Sequence, residues 1–298
     1  MKNKGIKKVK VSKIFRESFF IQEKFRIFVL LKRYSINLTK YKTMKNLSKK
    51  SLVLDELYLT FGMKEFDTDD IKIISKKHSF KNQFDVAKLD SKDQLSPLMI
   101  KNDVFLLKVG NGKYKFFNGI NSYYHDLEKI TNIVEMNYIP DEIIGDITSE
   151  GDILKYIEIN NILADFLNED VQSYGAGRRS TKELNYYIGK EEINLKSDNV
   201  QIEIDESYFA KKMNTLFSTE AKNKHLKSFN VSQLFFPCFY FSKVKGLSSK
   251  KNIKGLFIQN KLVRNKYYEI QIYEYEFTND LDITSISLIK NKSYKLIF

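Results

Sequence analysis

One cysteine, three prolines, six arginines, three histidines and no tryptophan stand among 298 residues. The single Cys238 rules out a disulfide framework and any zinc site built on cysteine pairs, and it fits a reducing cytoplasm. It lies inside the apolar run LFFPCFYF, where a buried core thiol is expected. There is no P-loop and no dinucleotide fingerprint, so neither ATP-driven translocation nor redox chemistry is expected. Long hydrophobic runs are missing too. The apolar run at 27–31 in the N-terminal arm is five residues, against the roughly 20 that a spanning helix needs, and no membrane association through a span is expected.

What is present begins with apolar and aromatic content. With 42% hydrophobic residues, the chain can bury a real core, and its length suggests two domains. The formal charge is +13, which invites a nucleic-acid partner. Its location weakens that reading: residues 1–50 carry +14 and the rest of the chain −1. Residues 1–43 read as a basic extension in which Phe15, Phe19, Phe20 and Phe25 are interleaved with Lys and Arg. It reads as a helix lying on DNA or on a membrane surface, as a targeting peptide, although no small-residue cleavage site follows an apolar core, or as a solvated extension. Met44 opens MKNLSKKSLVLDELYLTF, the pattern of an ordinary domain start.

Residues 44–120 read as helices followed by a β-hairpin, the order of a winged helix-turn-helix domain and one that any small α+β domain shares. Leu52, Leu54, Leu57, Tyr58 and Phe61 recur at helical spacing before Gly62. Thr68-Asp69-Asp70 supplies helix-capping chemistry ahead of Ile71, Ile73 and Ile74. Pro97 is expected to break any helix in LSPLMI. Alternating runs at 104–109 and 113–117 flank Gly110-Asn111-Gly112 as a hairpin. Residues 121–139 read as a polar and aromatic connector, with a second domain over 140–298. There Thr148-Ser149-Glu150 caps a helix carrying Ile153, Leu154, Ile157, Ile162, Leu163 and Phe166. A Gly-flanked loop at 175–181 follows, and from Asn199 the chain turns strand-like apart from a helix near 228–240.

Chemistry concentrates in VQIEIDESYFAKKMNTLFSTEAKNK, residues 200–224. Val200, Ile202 and Ile204 alternate with Gln201, Glu203 and Asp205, which gives a strand with one apolar face and one ending in carboxylates. A polar connection leads to a second strand, in which Glu220 and Lys222 share a face opposite Phe217, Thr219 and Ala221. Paired as a hairpin, the strands bring Asp205, Glu220 and Lys222 to one sheet edge. Two carboxylates beside a lysine suit metal-dependent phosphodiester chemistry: the acids hold a hard cation such as Mg²⁺ through oxygen, and the lysine orients or helps deprotonate the attacking water. In a chain with 44 lysines an acid two positions before a lysine arises by chance, as at Asp70-Ile-Lys72 and Asp90-Ser-Lys92. Glu220-Ala221-Lys222 is the sole Glu-x-Lys and has the strand context.

These residues resemble the PD-(D/E)XK nuclease superfamily in the form found in type II restriction endonucleases. The match is Asp205, 14 residues, then Glu220-Ala221-Lys222, with no proline before the aspartate. The surrounding text IEID…STEAK…FNVSQLFFPCFYF, 202–241, is similar to one group of bacterial restriction enzymes in which a variant of (I/V)E(A/G)K precedes a helix reading QLYYP. The resemblance implies an α+β protein: the winged-helix-like domain, then a restriction-endonuclease-like α/β core with a mixed sheet. It also implies catalytic Asp205, Glu220 and Lys222, a Mg²⁺ cofactor held by Asp205, Glu220 and Glu150, a supporting role for Gln233, and a rival role for Glu203.

The implied activity is sequence-specific, Mg²⁺-dependent hydrolysis of double-stranded DNA within a restriction-modification system, with a DNA methyltransferase as genetic partner and a cytoplasmic location. Cutting both strands implies a homodimer or a transient pairing of copies on DNA. Arg178-Arg179, in the Gly-flanked loop, suit phosphate clamping or bidentate readout of guanine, with a solvated loop as the alternative. His225 is close enough in sequence to Lys222 to approach a phosphate, although a lone histidine is more often structural; His78 and His125 lack a partner pattern. Two other readings stand beside restriction: a non-catalytic winged-helix regulator, and a repair or mobile-element nuclease of the same fold.

Overall fold

The computed structural model describes residues 47–138, 142 and 145–298, and the backbone alone of 195–200. The basic extension 1–43 and Met44 lie outside the described residues.

Helix α1 (Lys49–Phe61) forms where the apolar spacing predicts it. Ser48 accepts from the Ser51 N–H at 3.1 Å at its start, and Gly62 ends it at φ 57°. After the short strand β1 (Phe66–Asp67) comes α2 (Thr68–Lys77), capped by Asp67 rather than by the threonine that follows it, with Asp70 completing a reciprocal capping box. Pro97, expected to break a helix, instead opens α3 (Pro97–Lys101). At the first helical position its missing N–H leaves nothing unsatisfied, and Ser96 accepts from the Met99 N–H. The hairpin strands β2 (Val104–Gly110) and β3 (Lys113–Asn118) join β1 in a sheet of order β1-β3-β2.

The segment 121–139 is expected as a connector, and its described residues, 121–138, belong to the fold. After α4 (Ile120–Tyr123), strand β4 (Tyr124–Asp126) pairs with β11 (Ser228–Asn230), and β5 (Ile133–Asn137) forms one edge of the main sheet. Burial of Tyr123, Tyr124 and Ile130 holds it in place. The helix expected through Phe166 is broken by Asn161 at φ 54° into α5 (Glu150–Ile159) and α6 (Ile162–Leu167). Strand character begins earlier than Asn199. Following β6 (Val171–Ser173), β7 (Gly177–Ile188) and β8 (Glu191–Ile204) form a long antiparallel ribbon.

The stretch expected as a polar connection contains β9 (Glu206–Ala210), with Tyr208 and Ala210 fully buried, paired antiparallel with β10 (Thr215–Lys222). Helix α7 (Ser232–Phe239) then runs into a π turn at Tyr240–Val244 and precedes β12 (Asn252–Val263), β13 (Tyr267–Phe277) and β14 (Ile286–Ile297).

The main sheet has the order β5-β14-β13-β12-β10-β9-β6 and is mixed: β10–β12 and β14–β5 are parallel, the other pairs antiparallel. Helices α5 and α6 cover one face, packing Ile153, Tyr156, Ile157, Leu163 and Phe166 against Tyr208, Phe217, Ala221, Leu256 and Ile270. On the other face Leu234 and Phe229 meet Phe257, Tyr273 and Tyr275. Strand β10 is covered on both sides, and all eight of its residues are buried. A third apolar cluster runs without interruption from α1, α2 and the β2–β3 hairpin into the β7–β8 ribbon and α7. Among the described residues no helix is long and apolar enough to cross a membrane.

Candidate functional site

Asp205 occupies the bend where the chain leaves the ribbon at Ile204 and enters the main sheet at Glu206. The register that pairs Thr219 with Glu206 carries Asp205 alongside Glu220. Its Oδ2 accepts from the Ala221 N–H at 2.9 Å, so the backbone of the Glu-Ala-Lys run itself anchors the aspartate. Lys222 Nζ donates to Glu220 Oε1 at 2.5 Å and lies 3.5 Å from Glu150 Oε1, at the start of α5. From α7, Gln233 Nε2 donates to the same Glu220 Oε1 at 2.9 Å. Strand, strand and two helices thus bring Asp205, Glu220, Lys222, Glu150 and Gln233 together.

Electrostatically the site joins a buried acid, Glu220, and a half-buried one, Asp205, to one buried lysine. Burial pushes the Glu220 carboxyl up to about 8, against the pull of Lys222 and with the help of Asp205. Burial also raises Asp205, opposed by its Ala221 hydrogen bond and by Lys222. Burial works to neutralise Lys222, but Glu220, then Glu150 and Asp90, hold the ammonium above lysine's ordinary range. Lys222 is therefore a protonated donor here.

An oxygen-only, carboxylate-based donor set fits a hard divalent cation and suits neither zinc nor copper. Among the described residues no three His, Cys, Asp or Glu side chains converge on one point. Asp205 and Glu220 are the two acids that share the strand ends, while Glu150 is turned to Lys222. Two carboxylates match the habit of Mg²⁺, which keeps several waters when bound by protein.

Other expected residues lie elsewhere. Arg178 and Arg179 are on strand β7, not in a loop: the chain is already paired from Gly177, and Arg178 stands opposite Glu203. Arg178 Nε lies 3.7 Å from Glu203 Oε1 and both side chains are exposed, so Glu203 faces the arginine on the ribbon surface. His225 is bonded through Nε2 to the Glu269 carbonyl at 3.0 Å. His78 Nε2 meets Glu56 Oε2 at 2.6 Å, and Cys238 is buried.

Two contributors escaped the sequence reading. From Lys222 the register runs across the sheet through Gln259, Gln271 and Ser293, a polar row in which Gln259 donates to Gln271 Oε1 at 2.6 Å. The second is Asp90, whose Oδ1 accepts from Gln233 Nε2 at 3.3 Å. Period-two alternation hints at the row; nothing local marks Asp90.

No curated protein and no solved structure matches the chain. A family model described as a domain of unknown function (DUF6996) matches residues 41–116, which include Asp90. Another, described as a domain of unknown function (DUF6997), matches residues 119–295, which include Glu150, Asp205, Glu220, Lys222 and Gln233. That second match covers more than half of the chain, and the protein belongs to the DUF6997 family.

Proposed function

We propose that the protein is a Mg²⁺-dependent DNA endonuclease, of the kind that serves a restriction-modification system. The observation that carries the reading is the gathering of half-buried Asp205 and buried Glu220 about the Glu220-Ala221-Lys222 run, Asp205 on the Ala221 N–H and Glu220 on Lys222, with Gln233 on the same Glu220 oxygen. The surrounding order adds support: α5, the strand pair β9–β10, α7, then β12 parallel to β10. For the DNA-recognition role, the support is the order α1-β1-α2-α3-β2-β3 with a β1-β3-β2 sheet.

When bound, Mg²⁺ supplies charge neutralisation at the phosphate and a more acidic water. Asp205 and Glu220 would hold it. Gln233 and Lys222 fix the Glu220 oxygen, so little reorganisation remains when substrate arrives. The Lys222 ammonium would orient the attacking water and offset negative charge on the pentacoordinate phosphorus. Water oxygen attacks in line, a P–O bond forms as the bond to the leaving sugar oxygen breaks, the proton the attacking water gives up passes to surrounding water, and the leaving oxygen takes one up from it.

Lys222→Ala is the direct test. Cleavage of a DNA substrate in Mg²⁺ should fall by at least about a hundredfold, while DNA binding measured in Ca²⁺ stays close to wild type. Full cleavage by the variant contradicts the assignment. DNA binding by the wild type with no Mg²⁺-dependent nicking is what the regulator reading expects.

A further inference from the structure

The Gln233 side chain is clamped between two acids that come from different parts of the chain. Its amide has two hydrogens, both on Nε2, and that nitrogen lies 2.9 Å from Glu220 Oε1 and 3.3 Å from Asp90 Oδ1. Turning the amide over would set Oε1 against two carboxylate oxygens. The retained orientation leaves Gln233 Oε1 buried without a hydrogen-bond partner among the described residues. A buried unpaired carbonyl is unfavourable by about 1–3 kcal/mol, so the two acids together must hold the amide in place.

Asp90 lies 143 residues before Gln233 and belongs to the 41–116 match, whereas the other site residues belong to the 119–295 match. Its loop is fastened to the start of α7. The Asp90 carbonyl accepts from the Asn230 N–H at 2.8 Å, and the Lys92 N–H donates to Ser228 Oγ at 2.9 Å. Asn230 Oδ1 in turn accepts from the Ser232 N–H at 3.0 Å, at the first residue of the helix that carries Gln233. On its own side, the Asp90 N–H donates to Gln94 Oε1 at 2.7 Å. The backbone of this loop is therefore set independently of the Asp90 carboxylate.

We propose that Asp90 is a positioning residue of the site: through Gln233 it fixes the Glu220 oxygen, and so couples the N-terminal unit to the metal-binding acids. It touches neither substrate nor ion. Any shift of the 89–92 loop against α7 reaches Glu220 through one side chain. The inference rests on the proposed metal-dependent reading for its ion-binding consequence, and on geometry alone for the Gln233 clamp.

The test uses the full chain and two readouts: Mn²⁺ binding by calorimetry, and the Gln233 side-chain NH₂ signals in a ¹H–¹⁵N spectrum. Asp90→Ala removes the acceptor and spares the backbone bonds to Asn230 and Gln94. It should weaken Mn²⁺ binding about tenfold, the lower end of what losing such an outer support does, and should shift the Gln233 NH₂ signals. Asp90→Asn keeps an acceptor oxygen and should restore both toward wild type. If the alanine variant does not fold, Asp90→Ser, too short to reach the amide, carries the same expectations. Unchanged Gln233 signals, or shifted signals with wild-type Mn²⁺ affinity, overturn the coupling. Failure of the wild-type protein to bind Mn²⁺ would instead overturn the metal-dependent reading, while the Gln233 signals still report on the Asp90 clamp.

Discussion

Glu220 is an acid on a strand with no exposed residue, and its burial has a measurable consequence. A carboxyl raised from about 4.5 to about 8 on folding binds its proton more tightly in the native state. Its contribution to stability is then fully present below about pH 4.5 and is lost as pH rises through about 8. Urea denaturation of the metal-free protein should show the midpoint falling over that window. Glu220→Gln, which cannot ionise, should flatten the fall, leaving the smaller share due to Asp205, which is raised in the same sense. An identical slope in both proteins contradicts the buried-acid account. Glu220 and Lys222 were legible in the sequence because the Glu-x-Lys is unique and alternates with apolar neighbours, and Asp205 because it ends an alternating run. Asp90 was not, because an Asp-x-Lys in a lysine-rich chain carries no local signal and its partner is 143 residues away.

The seating of α7 on the sheet decides where Gln233 points. That seat depends on Gly255 of β12, where an added Cβ would lie 3.2 Å from Leu234 Cδ1. Gly255→Ala should cost about 1–3 kcal/mol by overpacking, and Leu234→Ala about 2–5 kcal/mol by leaving a cavity. Because the new methyl enters the space vacated by leucine, the double variant should cost less than the sum, by denaturant titration; strict additivity would show that the two do not share that space. Elements with clean periodicity, such as α1 and the β2–β3 hairpin, were legible in advance. Those decided by long-range pairing were not: β4 (Tyr-His-Asp) and β5 (Ile-Val-Glu-Met-Asn) are short runs within a polar and aromatic stretch and are strands because β11 and β14 lie beside them. Arg178 and Arg179 read as loop residues because glycines precede them, yet the ribbon pairing with β8 begins at Gly177.

Across the whole molecule, one apolar cluster ties the N-terminal helices to the ribbon and α7. The two matched regions should therefore unfold together. Far-UV circular dichroism and tyrosine fluorescence should report coincident denaturation curves. Leu184→Ala, in the ribbon part of that cluster, should shift both curves by about 2–5 kcal/mol. Two resolved transitions would contradict the shared core. At this scale the charge is a weak guide, since +14 lies in residues 1–50 while the described site sets three carboxylates, Asp205, Glu220 and Glu150, around one lysine.

Digestion of methylation-free phage DNA by the wild-type protein, with Mg²⁺ and with EDTA, addresses the central claim most directly. The account predicts discrete fragments with Mg²⁺ and intact DNA with EDTA. Intact DNA under both conditions, from protein that is folded and binds DNA, would contradict it.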